Sequence, residues 1–592
     1  MNALKHILSV VLAWPKTTLA GALALTLGGA YVARDLAVDV FPEIKVPRVT
    51  IQTEAGGLTA EEVEQRITVP IESAMNGLAG VTAVRSSSGG GLSFVWVDFD
   101  WASDADQARF RVFERLGQVR ESLPAEAEPE IAPVISVSGE IMMVALVSEA
   151  TNVTGLALRE LAEYSIRNRL LAIPGIAQVV ALGGNLPELR IGYDPLRLAQ
   201  QGLGVGDVAE AVRASRTWAS GGYLADVRSE ELAVRQTARA DTVAELAAAW
   251  IPTEGGTPLR LGSVADVSLA GAPRRGSASF NGRDAVVVSV QKAPGGNTLE
   301  LTKRVEAALD GLSLPPGVRI ERHAYRQSDF INLSIANGKS MVWGAVLIVV
   351  LVLGLTLMSV RALLIVLLTM PVSLGAGLLL FPSLGLGVNI MTLGGLAVAV
   401  GDIVDSAIIF TEIFRRRVRS NPRAEILAAV REVAPGVAFS GFVIVLVFLP
   451  LFFLHGLEGQ FFKPLAYAYL AVFACSVVAA FLVTPALALV LRRNKSAEYQ
   501  PCVETTAHRA SLPERILLAC YAPFLGTALR FPKTCVAAAA LLLGAALWYG
   551  AGFGSSFLPP FHEDTFTVFV SLVPGSSLSE AERVSENVAR TI

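Results

Sequence analysis

Apolar residues along the chain gather into seven stretches, each about the length that a helix needs to cross a bilayer, roughly 20 mostly apolar residues. A long polar region, 34–335, separates the first stretch from the second. The pattern predicts an α+β membrane protein with seven transmembrane helices and a large water-exposed part. The predicted spans are 14–33, 341–360, 362–382, 391–412, 434–454, 464–491 and 532–551.

The first apolar stretch is either a retained membrane anchor or a cleaved signal peptide. It begins MNALKHILSVVLAWPKTTLA, and no clean small-residue cleavage site precedes YVARDLAVDVFPE. We therefore expect a retained anchor.

Basic residues in the short loops set the predicted orientation, because loops rich in Lys and Arg stay in the cytoplasm. The loop RRRVRSNPRAEILAAVRE holds six arginines, and the loop after the sixth span opens with RRNK. The loops FPSLGLGVNI and HGLEGQFFKP hold one basic residue, Lys463. The N-terminus is thus predicted inside and region 34–335 outside. The segment LPERILLACYAPFLGTALRF is predicted to be an amphipathic interfacial helix on the cytoplasmic side.

The outer region alternates strand patterns with helix patterns. RVTIQTEA alternates as a half-buried strand does, and TAEEVEQRITVPIESAMNGL is typical of a helix with Thr59 as N-cap. VTAVRSSSGGGLSFVWVDFD indicates two strands around a glycine-rich turn, and DADQARFRVFERLGQVRESL a further helix. This order predicts a ferredoxin-like subdomain built from βαβ units.

A second such subdomain is predicted from GEIMMVALVS through a helix near 155–172 to AQVVALGG. DAVVVSVQKA and TLELTKRVEAALDGL are its expected completion, followed by the strand RIERHA. The segment between them, from about 181 to 272, is predicted to be an inserted module.

Composition and charge narrow the function classes. The chain is 52% hydrophobic and 17% charged, whereas soluble domains carry roughly 25% charged residues. A net charge of −3 gives no sign of a nucleic-acid partner. The four cysteines have no CxxC spacing, so neither a disulfide framework nor a zinc site is expected. SSSGGGLS and NGKS lack the full phosphate-loop pattern and the five histidines are scattered, so we expect neither an enzyme nor a bound cofactor.

Three acids, Asp402, Asp405 and Glu412, lie in the fourth span within VGDIVDSAIIFTE. Each ionised side chain at the bilayer centre costs about 2.5–3.5 kcal/mol, and such residues often move protons or ions. On a helix, Asp405 and Glu412 lie on one face, within about 20° of each other around the helix axis, and Asp402 lies about 60° to the side of Asp405. The spacing predicts one acidic stripe that acts as a proton relay.

Structural roles stay open for two of these acids. Glu412 is near the cytoplasmic end, where it could pair with Arg415 or Arg416. Asp402 could line a contact between helices. Asp405 has the deepest predicted position, so it is the leading candidate for the proton carrier.

GDIVDSAIIFTE resembles the fourth-span motif of resistance-nodulation-division (RND) efflux permeases. The segment from DLAVDVFPEIKVPRV to RSSSGGGLS resembles the first porter subdomain of that family, and DPLRLAQQGLGVGDVAEAVRAS its docking module. The resemblance implies a proton-driven, multi-pass pump of the bacterial inner membrane with a large periplasmic region. It also implies a homotrimer joined to a periplasmic adaptor and an outer-membrane channel.

The motif is similar to that of the heavy-metal efflux branch, because Asp405 is followed by Ser406 rather than by a second aspartate, with Glu412 seven residues later. The resemblance assigns Asp405 to the proton-relay aspartate and Glu412 to the second acid, and leaves Asp402 unexplained. Ile403 and Phe410 stand where copper and silver members carry methionines, and thioethers are the ligands that select Cu(I). The metal ligands and the exact substrate stay open.

The resemblance divides the chain into parts. A family member has twelve spans from an internal duplication. TFTVFVSLV is predicted to be a strand, and with the helix after it, it mirrors the start of the first porter subdomain. We therefore expect an N-terminal half, whether a fragment, a truncated product or one piece of a split pump. The parts are 1–33, the N-terminus and first span; 34–134, the first porter subdomain; 135–180 with 273–335, the second; 181–272, the docking module; 336–493, spans two to six; 494–531, the cytoplasmic loop; 532–553, span seven; and 554–592, an incomplete third porter subdomain.

Three functions remain in competition. The leading hypothesis is proton-coupled antiport that exports heavy-metal cations. The alternatives are export of organic amphiphiles by the same machinery, and a non-transporting membrane scaffold that assembles with an intact permease.

Overall fold

The fold comes from a computed structural model that describes residues 2–44, 46–125, 127–136, 138–149, 153–217, 220–227, 230–235, 239–253, 257–274, 276–357, 359–417, 422–491, 512–553, 568–573 and 575–591. The chain forms two compact units. One comprises Met1–Ile141, Lys292–Lys303 and Gln327–Thr567, and the other comprises Met142–Gln291, Arg304–Arg326 and Val568–Ile592.

The chain begins with two helices, α1 (Asn2–Ala13) and α2 (Pro15–Asp35). Their axes are bent by 96° at Trp14. Pro15 explains the break, because proline disfavours the helical conformation of the residue before it and has no N–H for the preceding turn.

A four-stranded antiparallel sheet follows, in the order β2-β3-β1-β4. This connectivity is the β-α-β-β-α-β arrangement of ferredoxin-like folds. The glycine-rich turn between β2 and β3 is observed, with Gly91 at φ 67°. In chain order the elements are β1 (Arg48–Glu54), α3 (Ala60–Val63), a π-helical turn (Glu64–Thr68), α4 (Val69–Met75), β2 (Val81–Gly89), β3 (Leu92–Phe99), α5 (Ala105–Val119), a 3-10 turn (Arg120–Ser122) and β4 (Glu128–Ile131).

Local chemistry fixes the helices on this sheet. The predicted Thr59 cap is confirmed: its hydroxyl accepts from the Glu62 N–H, and the Glu62 carboxylate accepts from the Thr59 N–H at 2.8 Å. Asp104 caps α5 by accepting two backbone N–H bonds. The core lies between the helices and one face of the sheet, where Ile51 and Val97 are fully buried.

A charged cluster closes the end of this sheet. Asp98 accepts hydrogen bonds from Arg48, at 2.5 Å, and from Arg85. Burial alone would raise the pKa of Asp98, but the hydrogen bonds and charges of the two arginines outweigh it and hold that pKa below its usual range. Asp98 is therefore a carboxylate whose ionisation stabilises the sheet.

A second sheet repeats the same order, β6-β14-β5-β15, with β13 paired to β14. Its elements and those inserted in it are, in chain order, β5 (Glu140–Ser148), α6 (Gly155–Glu160), a π-helical turn (Leu161–Ile166), α7 (Arg167–Leu171), β6 (Ile176–Leu182), β7 (Pro187–Tyr193), α8 (Pro195–Gln200), α9 (Val205–Arg216), β8 (Ser220–Val227), β9 (Glu230–Arg235), α10 (Val243–Ala247), β10 (Trp250–Ile251), β11 (Leu259–Arg260), α11 (Leu261–Val264), β12 (Ala265–Gly271), β13 (Ser279–Phe280), β14 (Arg283–Lys292), α12 (Thr298–Asp310) and β15 (Val318–Arg326).

The insert leaves and rejoins the second sheet through an antiparallel ribbon, in which β7 pairs with β12 along its whole length. It has a core of its own that includes Leu198, Leu246 and Leu261, each almost fully buried. The naming of these parts as porter subdomains and a docking module stays a prediction.

Long apolar helices make up most of the remaining chain. Over the described residues, six helices are long and apolar enough to cross a membrane, and the bent pair α1–α2 would make a seventh span. The helices are α13 (Gln327–Leu357), α14 (Val360–Leu380), a 3-10 turn (Pro382–Leu384), α15 (Ile390–Arg417), α16 (Pro422–Phe452), α17 (Gly456–Val490), α18 (Leu512–Arg530), α19 (Pro532–Gly550) and α20 (Leu578–Thr591).

Small residues let the first of these helices pack closely. A Cβ added at Gly29 of α2 would collide with the backbone of Gly375 in α14, and one at Gly375 would lie 2.8 Å from the Thr26 Cα. Without a hydrophobic force between helices in lipid, such close backbone packing is a main source of association. The helix α2 is thus an integral part of the bundle.

One predicted strand is not formed. The pattern TFTVFVSLV predicted a strand at 565–573, but the described part, 568–573, is irregular and Phe569 is largely exposed. Alternation alone does not make a strand, because its backbone groups need a neighbouring strand. None of the described strands pairs with this segment.

Candidate functional site

The helix α15 carries the three predicted relay acids, and its start is firmly capped. The Asn389 side chain accepts from the Thr392 N–H at 2.9 Å, and the Thr392 hydroxyl accepts from the Asn389 N–H at 2.9 Å. Both residues are buried. This reciprocal cap fixes where the helix begins and therefore which side chains face its neighbours.

The three acids of the predicted stripe have different surroundings on α15. Asp402 is half-buried and faces α17, whereas Asp405 lies on an exposed face together with Val398 and Ile409. Glu412 is half-buried. A 60° offset was enough to turn Asp402 towards a different neighbour, because α17 packs closely along that side of α15.

The partners predicted for Glu412 are Arg415 and Arg416. The side chains of Arg415 and Arg416 lie outside the described residues. Ser406, the residue after Asp405, is buried at 8% exposure.

Tyr469 of α17 is the residue that reasoning from the sequence missed. Its hydroxyl donates a hydrogen bond to the Asp402 carboxylate. The ring is buried and stacked against Phe448, at 4.2 Å between centroids. A tyrosine inside an apolar span was the available signal, since a buried phenol oxygen usually has a hydrogen-bond partner.

Hydrocarbon side chains occupy the two positions of α15 at which the sequence comparison with copper and silver members placed methionines. Ile403 and Phe410 are both buried in the helix bundle, at 2% and 0% exposure. Within the described part of the chain, no group of three or more His, Cys, Asp or Glu side chains could hold a metal ion. The structure therefore identifies no resident metal centre among those residues.

A second polar site lies just outside the membrane helices. Lys292 is almost fully buried, and its Nζ donates to the Asp39 carboxylate at 2.5 Å, the Thr298 hydroxyl at 2.8 Å and the Gly296 carbonyl at 3.1 Å. A cavity of about 590 Å³ opens beside this group, and Glu43 and other residues line it. The ammonium thus has three acceptors, which compensates for its burial.

The backbone next to Asp39 connects this site to the start of α15. Residues 37–40 run beside 388–390 like a short strand pair, joined by the bonds Asp39 N–H to Val388 C=O, Val388 N–H to Ala37 C=O and Ile390 N–H to Val40 C=O. These main-chain hydrogen bonds therefore connect the cluster of Lys292, Asp39 and Thr298 to the start of α15, the helix that carries the acids.

Comparison with known proteins identifies the family of the chain. A family model described as the AcrB/AcrD/AcrF family matches residues 7–592. Cation efflux system protein CusA of Escherichia coli (strain K12) is 32% identical over 592 residues, 97% of this chain and 55% of CusA. Putative cation efflux system protein SilA of Salmonella typhimurium is 31% identical over 589 residues, covering 97% of this chain and 55% of SilA.

A third relative is more distant. Cobalt-zinc-cadmium resistance protein CzcA of Cupriavidus metallidurans is 28% identical over 586 residues, 95% of this chain and 54% of CzcA. The chain spans about half the length of the curated relatives it matches. Since the family model extends over almost the whole chain, the chain belongs to the AcrB/AcrD/AcrF family of RND permeases.

Proposed function

We propose that this chain supplies the relay helix of a proton-driven permease that exports heavy-metal cations from the inner membrane to the periplasm and beyond. The observation that carries the proposal is the acid Asp405 within the apolar stretch of α15, in a chain whose relatives are named as cation efflux proteins. The chain covers 55% of the length of each of these two relatives, so the activity of a whole pump is part of the proposal.

The proton would act by removing a charge from the helix. An ionised Asp405 at the bilayer centre costs about 2.5–3.5 kcal/mol. One proton that enters down 100 mV releases about 2.3 kcal/mol of electrical work. The two quantities are comparable, so proton uptake and release at one carboxyl is enough to shift the packing of α15 between two states.

The start of α15 offers a route by which such a shift would reach the outer part. Any displacement of residues 388–390 moves the paired backbone of 37–40, and with it Asp39 and its buried partner Lys292. Thr298, which begins α12, belongs to the same cluster. We propose that this cluster carries motion from the relay helix to the outer sheets.

Assembly with other proteins is part of the proposal. The resemblance implies a homotrimer, a periplasmic adaptor and an outer-membrane channel. Phe110 and Phe113 lie on one face of α5, each at 67% exposure. Exposed aromatic residues on a helix of a water-exposed subdomain are typical of a protein interface, which supports contact between subunits at this face.

The relay proposal is tested with Asp405→Asn in the complete permease, with Ser406→Ala as the control. We expect Asp405→Asn to abolish cation export while the trimer still assembles, and Ser406→Ala to retain export. Resistance that persists in Asp405→Asn at normal expression would refute the relay role.

The substrate is tested separately, by efflux from loaded cells of Zn²⁺, Co²⁺, Ni²⁺, Cu⁺ and organic dyes. We expect export of a metal cation. Export of dyes alone would favour the organic-amphiphile alternative, and assembly without any transport would favour the scaffold.

A further inference from the structure

We propose that Tyr469 is a positioning residue that holds Asp402 as a second proton-carrying carboxyl beside Asp405. The proposal rests on the proposed function, because a carboxyl that exchanges its proton serves only a proton-coupled protein. It goes beyond the family motif, which gives Asp402 no role. The observation that carries it is the hydrogen bond between the Tyr469 hydroxyl and the Asp402 carboxylate.

The position of the Tyr469 hydroxyl is fixed by its surroundings. The ring stacks on Phe448 of α16 at an interplanar angle of 14°, and on Phe473 of its own helix at 5°. Only 2% of Tyr469 is exposed. A buried ring that stacks on two neighbouring rings is held in place, and its hydroxyl is directed at Asp402.

The two helices also meet closely enough to fix their register. A Cβ added at Gly395 of α15 would lie 2.6 Å from the Leu465 carbonyl oxygen and 3.3 Å from the Tyr469 nitrogen. Gly395 is seven residues before Asp402, so the two lie on nearly the same face of α15. The glycine therefore brings the backbone of α17 against the face that carries Asp402.

The apolar central stretches of the other helices that pack on α15 carry no charged residue. The sequence has no ionisable residue at 341–357 in α13, at 362–380 in α14 or at 433–452 in α16. From 464 to 491 in α17 the only titratable residues are Tyr467, Tyr469 and Cys475. Tyr467 contacts Phe452, and Cys475 lines an apolar cavity against α2 and α14. On its own helix, the nearest titratable neighbour of Asp402 is Asp405.

A hydroxyl suits a carboxyl that changes its protonation state. The phenol O–H donates a hydrogen bond to the ionised carboxylate, and the phenol oxygen accepts a hydrogen bond from the O–H of the neutral acid. A buried cation would instead favour only the charged form. Tyr469 therefore keeps Asp402 hydrogen-bonded, and in place, in both forms.

The test is infrared difference spectroscopy of the full chain in lipid nanodiscs, recorded across a pH series. In the parent protein we expect a carboxylic-acid C=O band that is lost in Asp402→Asn. In Tyr469→Phe, which retains the stacked ring, that band moves to higher wavenumber, because the carboxyl group loses a hydrogen bond. Tyr467→Phe is the matched control and leaves the band unchanged.

Two results overturn the inference. Spectra of Asp402→Asn that match the parent at every pH mean that Asp402 does not exchange a proton. A Tyr469→Phe band at the parent frequency means that the hydroxyl does not position the Asp402 carboxyl group. The Asp405→Asn spectrum is read separately: loss of an Asp405 band supports the proposed function, and its persistence counts against that function without affecting the result for Asp402.

Discussion

Removal of the Lys292 ammonium should open the contact between the outer part and the start of α15. In Lys292→Met the side chain keeps an unbranched apolar stem of the same length. It loses the ammonium and with it the bonds to Asp39, Thr298 and the Gly296 carbonyl. The main-chain bond from the Lys292 N–H to Gly139 is retained. The substitution thus removes the charge with little change in packing.

The expected cost follows from burial. Breaking a buried ion pair costs about 3–5 kcal/mol, because the remaining charge is left without its partner. Asp39 is 20% exposed and keeps hydrogen bonds from its neighbour Val40 and from Thr298. The cost should therefore lie near the lower end, about 3 kcal/mol.

Hydrogen exchange of the full chain in detergent measures this cost locally. The Asp39 N–H donates to the Val388 carbonyl, and the Val40 N–H donates to the Asp39 carboxylate. A loss of about 3 kcal/mol should speed their exchange about a hundredfold. The control is Arg322→Met, which breaks the Arg322–Asp310 pair, where the Asp310 side chain is 66% exposed; exposed pairs contribute about 0–1 kcal/mol.

Exchange at Asp39 and Val40 in Lys292→Met that stays within a few fold of the parent would contradict a stabilising role for the buried ammonium. An equal increase in Arg322→Met would also contradict it, because the effect would then not depend on burial of the charge.

Three further predictions concern packing, pH and assembly. Gly375→Val should separate α2 from α14 and lower the thermal midpoint, by analogy with overpacking costs of about 1–3 kcal/mol, whereas Gly21→Val, which meets nothing within 4 Å, should have little effect on this contact. The lowered pKa of Asp98 stabilises the first sheet above about pH 4, and this stabilisation is lost as pH falls through the folded-state pKa; exchange of the sheet amides should rise there in the parent and not in Asp98→Asn. Replacing Phe110 and Phe113 together with Ser should weaken self-association in sedimentation velocity without changing the fold by circular dichroism.

The sequence predicted elements whose signal is local. The apolar runs gave the long helices, and the glycine-rich turn gave the hairpin of β2 and β3. Thr59 with Glu62 marked a helix start, and the structure has the expected cap. In each case the determining residues lie within a few positions of one another, so periodicity and capping chemistry were sufficient.

The sequence did not predict pairings between distant residues. Lys292 and Asp39 are 253 positions apart and Tyr469 and Asp402 are 67 apart, and no local pattern links them. The strand predicted for TFTVFVSLV is absent over its described part, 568–573, because a strand depends on a partner elsewhere in the chain. Helical spacing placed the three acids near one another, but only packing against α17 showed that Asp402 and Asp405 have different surroundings.

The central claim is that proton exchange at Asp405 drives cation export. The most direct measurement is proton flux into proteoliposomes of the complete permease, recorded with a pH-sensitive dye while a cation gradient is imposed. We predict that the cation drives proton movement in the parent and in Ser406→Ala, and that Asp405→Asn abolishes it. Cation-driven proton movement in Asp405→Asn at the parent rate would contradict the account.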